Sequence, residues 1–92
     1  MIKTIKGTAS RRFIASGKSK FSGLDALIAM RRLRQLNAAT SLADLGGLNS
    51  VGLHKLKGDL RGFWLIDING PWRLLFKFSQ GDAYEVHIHD PH

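Results

Sequence analysis

Cysteine is absent from this chain. Disulfide staples and thiolate metal sites are therefore excluded, and a reducing compartment suits the sequence. No apolar run approaches the length that a membrane helix needs. The opening Met1-Ile2-Lys3-Thr4-Ile5-Lys6 lacks the long apolar stretch of a secretory leader. These absences predict a cytoplasmic chain with no membrane partner. Internal repeats and low-complexity tracts are missing. So are a Ser-centred elbow, a phosphate-cradling glycine-rich loop, a helix-borne zinc motif and paired carboxylates for glycoside chemistry. Negative charge is scarce as well, with 7 Asp and Glu against 14 Lys and Arg.

That scarcity leaves a formal net charge of +7 on 92 residues. So large an excess on so short a chain predicts a polyanionic partner. Nucleic acid ranks ahead of an acidic protein or an anionic membrane. The apolar share of 43% suits a folded chain. The length allows one domain, residues 1–92, with a thin core.

Composition shifts along the chain. Residues up to about Asn37 are basic and helix-like, whereas those after Val51 are aromatic and β-branched in short runs. The expected class is therefore α+β, helices first and sheet afterwards. Ile2 to Ile5 alternates weakly and reads as a strand. Thr8 to Ser16, stopped by Gly17, reads as a helix burying Ala9, Phe13 and Ile14. Ser22, with Asp25 three positions on, is the expected N-cap of a helix over Leu24 to Leu36. There Leu27, Met30, Leu33 and Leu36 supply the apolar side, and Arg31, Arg32 and Arg34 the solvent side. Ser41 to Leu45 adds a helical turn ended by Gly46-Gly47. Strands are expected over Val51 to Leu56, Phe63 to Ile68, Trp72 to Phe78 and Ala83 to His89. The turns Lys57-Gly58-Asp59, Asn69-Gly70-Pro71 and Gln80-Gly81-Asp82 separate them, so neighbours should pair antiparallel. Strand parity assigns Trp64, Ile66, Ile68, Trp72, Leu74, Phe76, Phe78, Tyr84, Val86 and Ile88 to the helix-covered side. Asp67, Arg73, Lys77, His87 and His89 collect on the other side. That side is either an ordinary solvated face or a basic binding surface; the positive excess favours binding.

Few residues can do chemistry. His54 stands beside Lys55, with Lys57 close behind. An imidazole in that setting is a candidate general base near neutral pH. In a regular strand Lys57 falls on the opposite pleat, and the turn at Gly58-Asp59 is what lets it swing to the same cleft. Arg73 sits between Trp72 and Leu74, where a stiff strand presents its planar fork to a phosphate. Its bland alternative is an outward arginine paired with Asp67 or Glu85. His87, His89, Asp90 and His92 crowd the carboxyl end. His87 and His89 lack an evident further ligand, so metal binding is not expected. Asp90 and His92 can instead meet His54 at one cleft edge. Lys77 joins the basic surface, and Arg31 and Arg34 can touch nucleic-acid backbone.

The ordered set Leu53-His54-x-Leu56-Lys57-Gly58-Asp59, Gly62-Phe63-Trp64, Trp72-Arg73, Gly81-Asp82-Ala83-Tyr84 and terminal Asp90-x-His92 resembles the HigB branch of the RelE/ParE toxin superfamily. The resemblance spans the whole chain and is most specific from Leu53 onward. It implies a compact RelE-like fold, two N-terminal helices on a mixed, mostly antiparallel sheet of four to five strands. It also implies the toxin half of a type II toxin–antitoxin pair, a ribosome-dependent endoribonuclease acting in the A site. The implied partners are the ribosome, its message and a helix-turn-helix antitoxin. The site residues carried over are His54, Lys57, Arg73, Asp90 and His92, with no cofactor. Relatives often carry Tyr before the terminal His, where this chain has Pro91. Two other classes are weighed against this one: a ParE-like poison of DNA gyrase and a simple nucleic-acid-binding module.

Overall fold

The computed structural model describes residues 1–48 and 51–90. Helix α1 spans Thr8–Ser16, as expected. Gly17 closes it in the left-handed region at φ 74, its N–H reaching the Phe13 carbonyl. Phe13 is fully buried. Ser10 is buried too, and its hydroxyl accepts a bond from Ile88 N at 3.0 Å, docking α1 on the sheet.

Helix α2, Ala26–Ala38, starts two residues later than expected. Its cap is Asp25, whose carboxylate accepts from Ile28 N at 3.1 Å, not Ser22. Tertiary bonds commit the preceding turn elsewhere. The Ser22 carbonyl accepts from Trp72 Nε1 at 3.0 Å, and Asn69 holds both Asp25 N and the Gly23 carbonyl. The buried positions of α2 are Ala29, Arg32, Leu33 and Leu36. Leu27 is 80% exposed, against expectation. The cause is geometric. A step of three residues turns about 300°, so the run Leu27, Met30, Leu33, Leu36 drifts halfway round the helix. The same geometry moves Arg32 off the solvent side and beside the buried stripe. There Arg32 Nε donates to the Asp67 carbonyl at 2.7 Å and Nη1 to Gln35 Oε1 at 3.1 Å. Helix α3, Leu42–Gly46, carries a capping box between Ser41 and Asp44 and buries Leu45.

The strands are β1 (His54–Lys55), β2 (Trp64–Asp67), β3 (Arg73–Ser79) and β4 (Asp82–His89). They form one antiparallel sheet in chain order, joined between β1 and β2 by a short 3-10 turn at Gly58–Leu60. β1 is shorter than the expected Val51 to Leu56. Val51 and Leu56 still bond to Asp67 and Phe63, but Gly52 takes φ +65 and interrupts the extended run. Ile2 and Ile5 bridge to Ala83 and Val86 in parallel sense, so the amino-terminal segment lies along the edge of β4. The mixed, mostly antiparallel arrangement is thus the one observed.

One core cluster sits between the helices and one sheet face. It joins Phe13, Ala29, Leu33, Leu36 and Leu45 to Ile66, Leu74, Phe76, Ala83, Val86 and Ile88. Tyr84 was expected there and is not. Leu75 pairs with His87 but Lys77 pairs with Tyr84, so β4 carries one extra residue between them. Glu85, at φ 51, makes this bulge. A bulge reverses side-chain parity beyond it, which buries Ala83 and turns Tyr84 to the side of Lys77. Among the described residues, no helix is long and apolar enough to cross a membrane.

Candidate active site

The sheet face away from the helices carries three of the expected site residues, His54, Arg73 and Lys77. Two rows of side chains cross it. His54 lies opposite Leu65, Leu65 opposite Leu75, and Leu75 opposite His87. In the next row, Asp67 lies opposite Arg73 and Arg73 opposite His89. Strand spacing and rise put the His54 and Arg73 backbones about 12 Å apart, with both side chains on the same face. That separation lets an imidazole and a guanidinium flank one nucleotide linkage. β4 then runs directly into Asp90, which is half-buried and has interactions of its own. His92 and Pro91 lie outside the described residues.

This face is not uniformly polar, as parity alone suggested. Phe63 and Leu75 are buried on it, apart from the main core. They form an apolar floor beneath charged groups. Lys77 Nζ sits 5.0 Å and Lys6 Nζ 5.6 Å from the Phe63 ring centre. The His87 ring meets Phe63 edge-on at 5.6 Å. Lys77 also pairs with Glu85 at 2.8 Å. Lys6 was not among the expected site residues. It reaches this face because the amino-terminal segment runs beside β4, and the alternation of Ile2 and Ile5 was the available signal.

Arg73 is held from several directions. Its Nε lies 2.8 Å from Asp67 Oδ1, and Nη1 donates to the carbonyls of Gly70 at 2.7 Å and Trp72 at 2.9 Å. The side chain keeps 29% exposure, so a ligand can reach it. The Asp67 pairing considered for Arg73 is therefore formed. It fixes the guanidinium on the open face without burying it.

His87 is half-buried, and burial pushes its imidazole below the usual histidine range. A bond between Nδ1 and the Glu85 carbonyl opposes the shift, while nearby Lys6 and His89 add to it. The rings of His87 and His89 lie 6.0 Å apart. Among the described residues, no three His, Asp or Glu side chains gather as a metal would require.

Other expected residues fall elsewhere. Lys55 points to the helix side of the sheet, 5.9 Å over the Trp64 ring, because adjacent strand residues face opposite ways. Lys57 is exposed at the start of the Gly58–Leu60 turn, further along the sheet from the row that holds Arg73. Arg31 and Arg34 are exposed on α2, in the helical layer behind the sheet. Arg34 there borders an apolar groove of about 310 Å³ lined by Ile2, Ile5, Ile14, Met30 and Leu33. Arg31, Arg34 and Lys55 thus lie apart from the His54–Arg73 face.

Residues 8–92 match the family described as the RelE-like toxin of type II toxin–antitoxin system HigB. A similar protein, the Endoribonuclease HigB of Proteus vulgaris, is 35% identical over the full length of both chains. A match over nearly the whole chain establishes descent, and the α+β architecture agrees with it. The chain belongs to the HigB-like toxin family, the RelE-like toxins of type II toxin–antitoxin systems.

Proposed function

We propose that this toxin is a ribosome-dependent endoribonuclease that cuts messenger RNA in the A site without a metal. The observation that carries the reading is the shared sheet face of His54 and Arg73, with Asp90 following directly on His89, the strand partner of Arg73. The name of the Proteus vulgaris relative supports the same reaction class.

In this mechanism the 2′-OH of the message attacks the adjacent phosphorus in line. The bond to the 5′-oxygen breaks, leaving a 2′,3′-cyclic phosphate and a 5′-hydroxyl. His54 or Asp90 takes the 2′-OH proton, and His92 or His54 gives a proton to the leaving oxygen. Arg73 stabilises charge growing on the phosphoryl oxygens, and Lys57 and Lys77 hold flanking backbone. The ribosome supplies the orientation, so free RNA is a poor substrate. The site of action is the cytoplasm, and the partner is a helix-turn-helix, HigA-like antitoxin.

Primer extension on one message, with and without ribosomes, tests the proposal. Cuts are expected only with ribosomes. Arg73→Ala should slow cleavage by about 10²–10³-fold, the usual loss for a donor to a developing oxyanion. Ribosome-independent cutting, or full activity in Arg73→Ala, refutes the reading.

A further inference from the structure

The Arg73–Asp67 pair is more constrained than a surface ion pair needs to be. An exposed pair is ordinarily a loose contact of small consequence. Here Asp67 is held at its backbone carbonyl, its N–H and one carboxylate oxygen. Its carbonyl accepts from the buried Arg32 at 2.7 Å, and its N–H donates to the Val51 carbonyl at 2.7 Å. Its carboxylate Oδ1 meets Arg73 Nε at 2.8 Å. The rest of the carboxylate packs against the backbone of residue 52, which is glycine at φ +65. A Cβ there would fall 2.9 Å from Asp67 Cγ and closer still to Oδ2, so only glycine leaves the carboxylate where it lies.

We propose that Asp67 is a positioning residue for the cleavage reaction, holding the Arg73 guanidinium in one plane and tying it to the segment that leads into His54. Gly52 is the second part of the device, because it clears the space that the carboxylate occupies two residues before His54. Three elements meet at this one residue: α2 and the entry to β1 hold its backbone through Arg32 and Val51, and Gly52 and β3's Arg73 flank its carboxylate. Asp67 touches no substrate in this arrangement. It acts by removing rotational freedom from Arg73 and by setting the distance between Arg73 and His54. The inference rests on the reading of Arg73 as the phosphate ligand.

The test is a double-mutant cycle with the full chain on ribosomes programmed with a message. Asp67→Ala should lower the maximal cleavage rate by about tenfold to a hundredfold, the loss expected when a reacting group is misplaced by about 1 Å. The apparent affinity for the programmed ribosome should change less than about threefold, because Asp67 contributes no contact. Asp67→Asn keeps an oxygen for Arg73 Nε and should recover most of the rate. In an Arg73→Ala background, Asp67→Ala should add almost nothing. Gly52→Ala leaves both partners in place, displaces the carboxylate, and should lower the rate in the same direction. Thermal unfolding of each variant separates a misplaced arginine from a collapsed fold. Losses that multiply in the double variant overturn the positioning role and leave the Arg73 assignment standing. An Arg73→Ala variant that cuts normally removes that assignment, and this inference with it.

Discussion

His87 shows how a single side chain links this face to stability. Its imidazole stands half-buried between Phe63 and His89, with its folded pKa held below the usual histidine range, chiefly by burial. Above about pH 6.5 the ring is neutral in the folded and the unfolded chain alike. Below that pH, and down to the lowered folded value, the unfolded chain takes up a proton that the folded chain refuses. Stability contributed by this group is therefore complete above about 6.5 and declines as the pH falls. Urea midpoints measured from pH 7.5 to 5.5 should drop, and His87→Gln should flatten part of that slope. An unchanged slope in the variant would show that other groups carry the pH dependence.

At the scale of the element, α2 illustrates a contrast between neighbouring leucines. Leu36 is fully buried against the sheet, and Leu27 is 80% exposed on the far side of the same helix. Leu36→Ala should destabilise the fold by about 2–5 kcal/mol through lost contacts and the cavity left behind. Leu27→Lys should change stability by no more than about 0.5 kcal/mol, as surface substitutions commonly do. Chemical denaturation of the two variants checks both values. Equal losses would mean that the register of α2 differs from the one described. The bulge in β4 has a comparable effect on the sheet. One extra residue at Glu85 brings Tyr84 beside Lys77 and leaves His87 and His89 in step with Leu75 and Arg73.

For the whole molecule, charge decides how the toxin meets its target. The excess of +7 is distributed over both layers. Lys6, Lys77 and Arg73 are on the open face, and Arg31 and Arg34 are behind it. Each phosphate neutralised on binding releases counterions, so on the ribosome-dependent mechanism proposed above affinity for programmed ribosomes should fall steeply and log-linearly with salt. Fluorescence titrations between about 50 and 200 mM salt should show it. Replacing Lys77 by Ala should reduce the slope by about one unit if that lysine meets a phosphate, and should leave it unchanged if Glu85 alone occupies it.

The sequence by itself determined the elements and most of their order. Short-range chemistry is enough for that: Gly17 as a left-handed stop, the Ser41 to Leu45 turn ended by Gly46-Gly47, and turns at Asn69-Gly70-Pro71 and Gln80-Gly81-Asp82 between alternating strands. The motifs from Leu53 onward also pointed to the family, because function constrains residue type at each spacing. Only the tertiary structure decided the rest. Arg32 is buried because a distant backbone carbonyl, that of Asp67, awaits it. Asp25 caps α2 because Asn69 and Trp72 claim the turn before it. Tyr84 changes face because the bulge at Glu85 reverses strand parity, and such a bulge leaves no strong local signature in the sequence. Arg73 and Asp67 become one fixed unit because Gly52, fifteen residues earlier in the chain, leaves room beside them. Each of these depends on groups far apart along the backbone, and only the closed fold sets such distances.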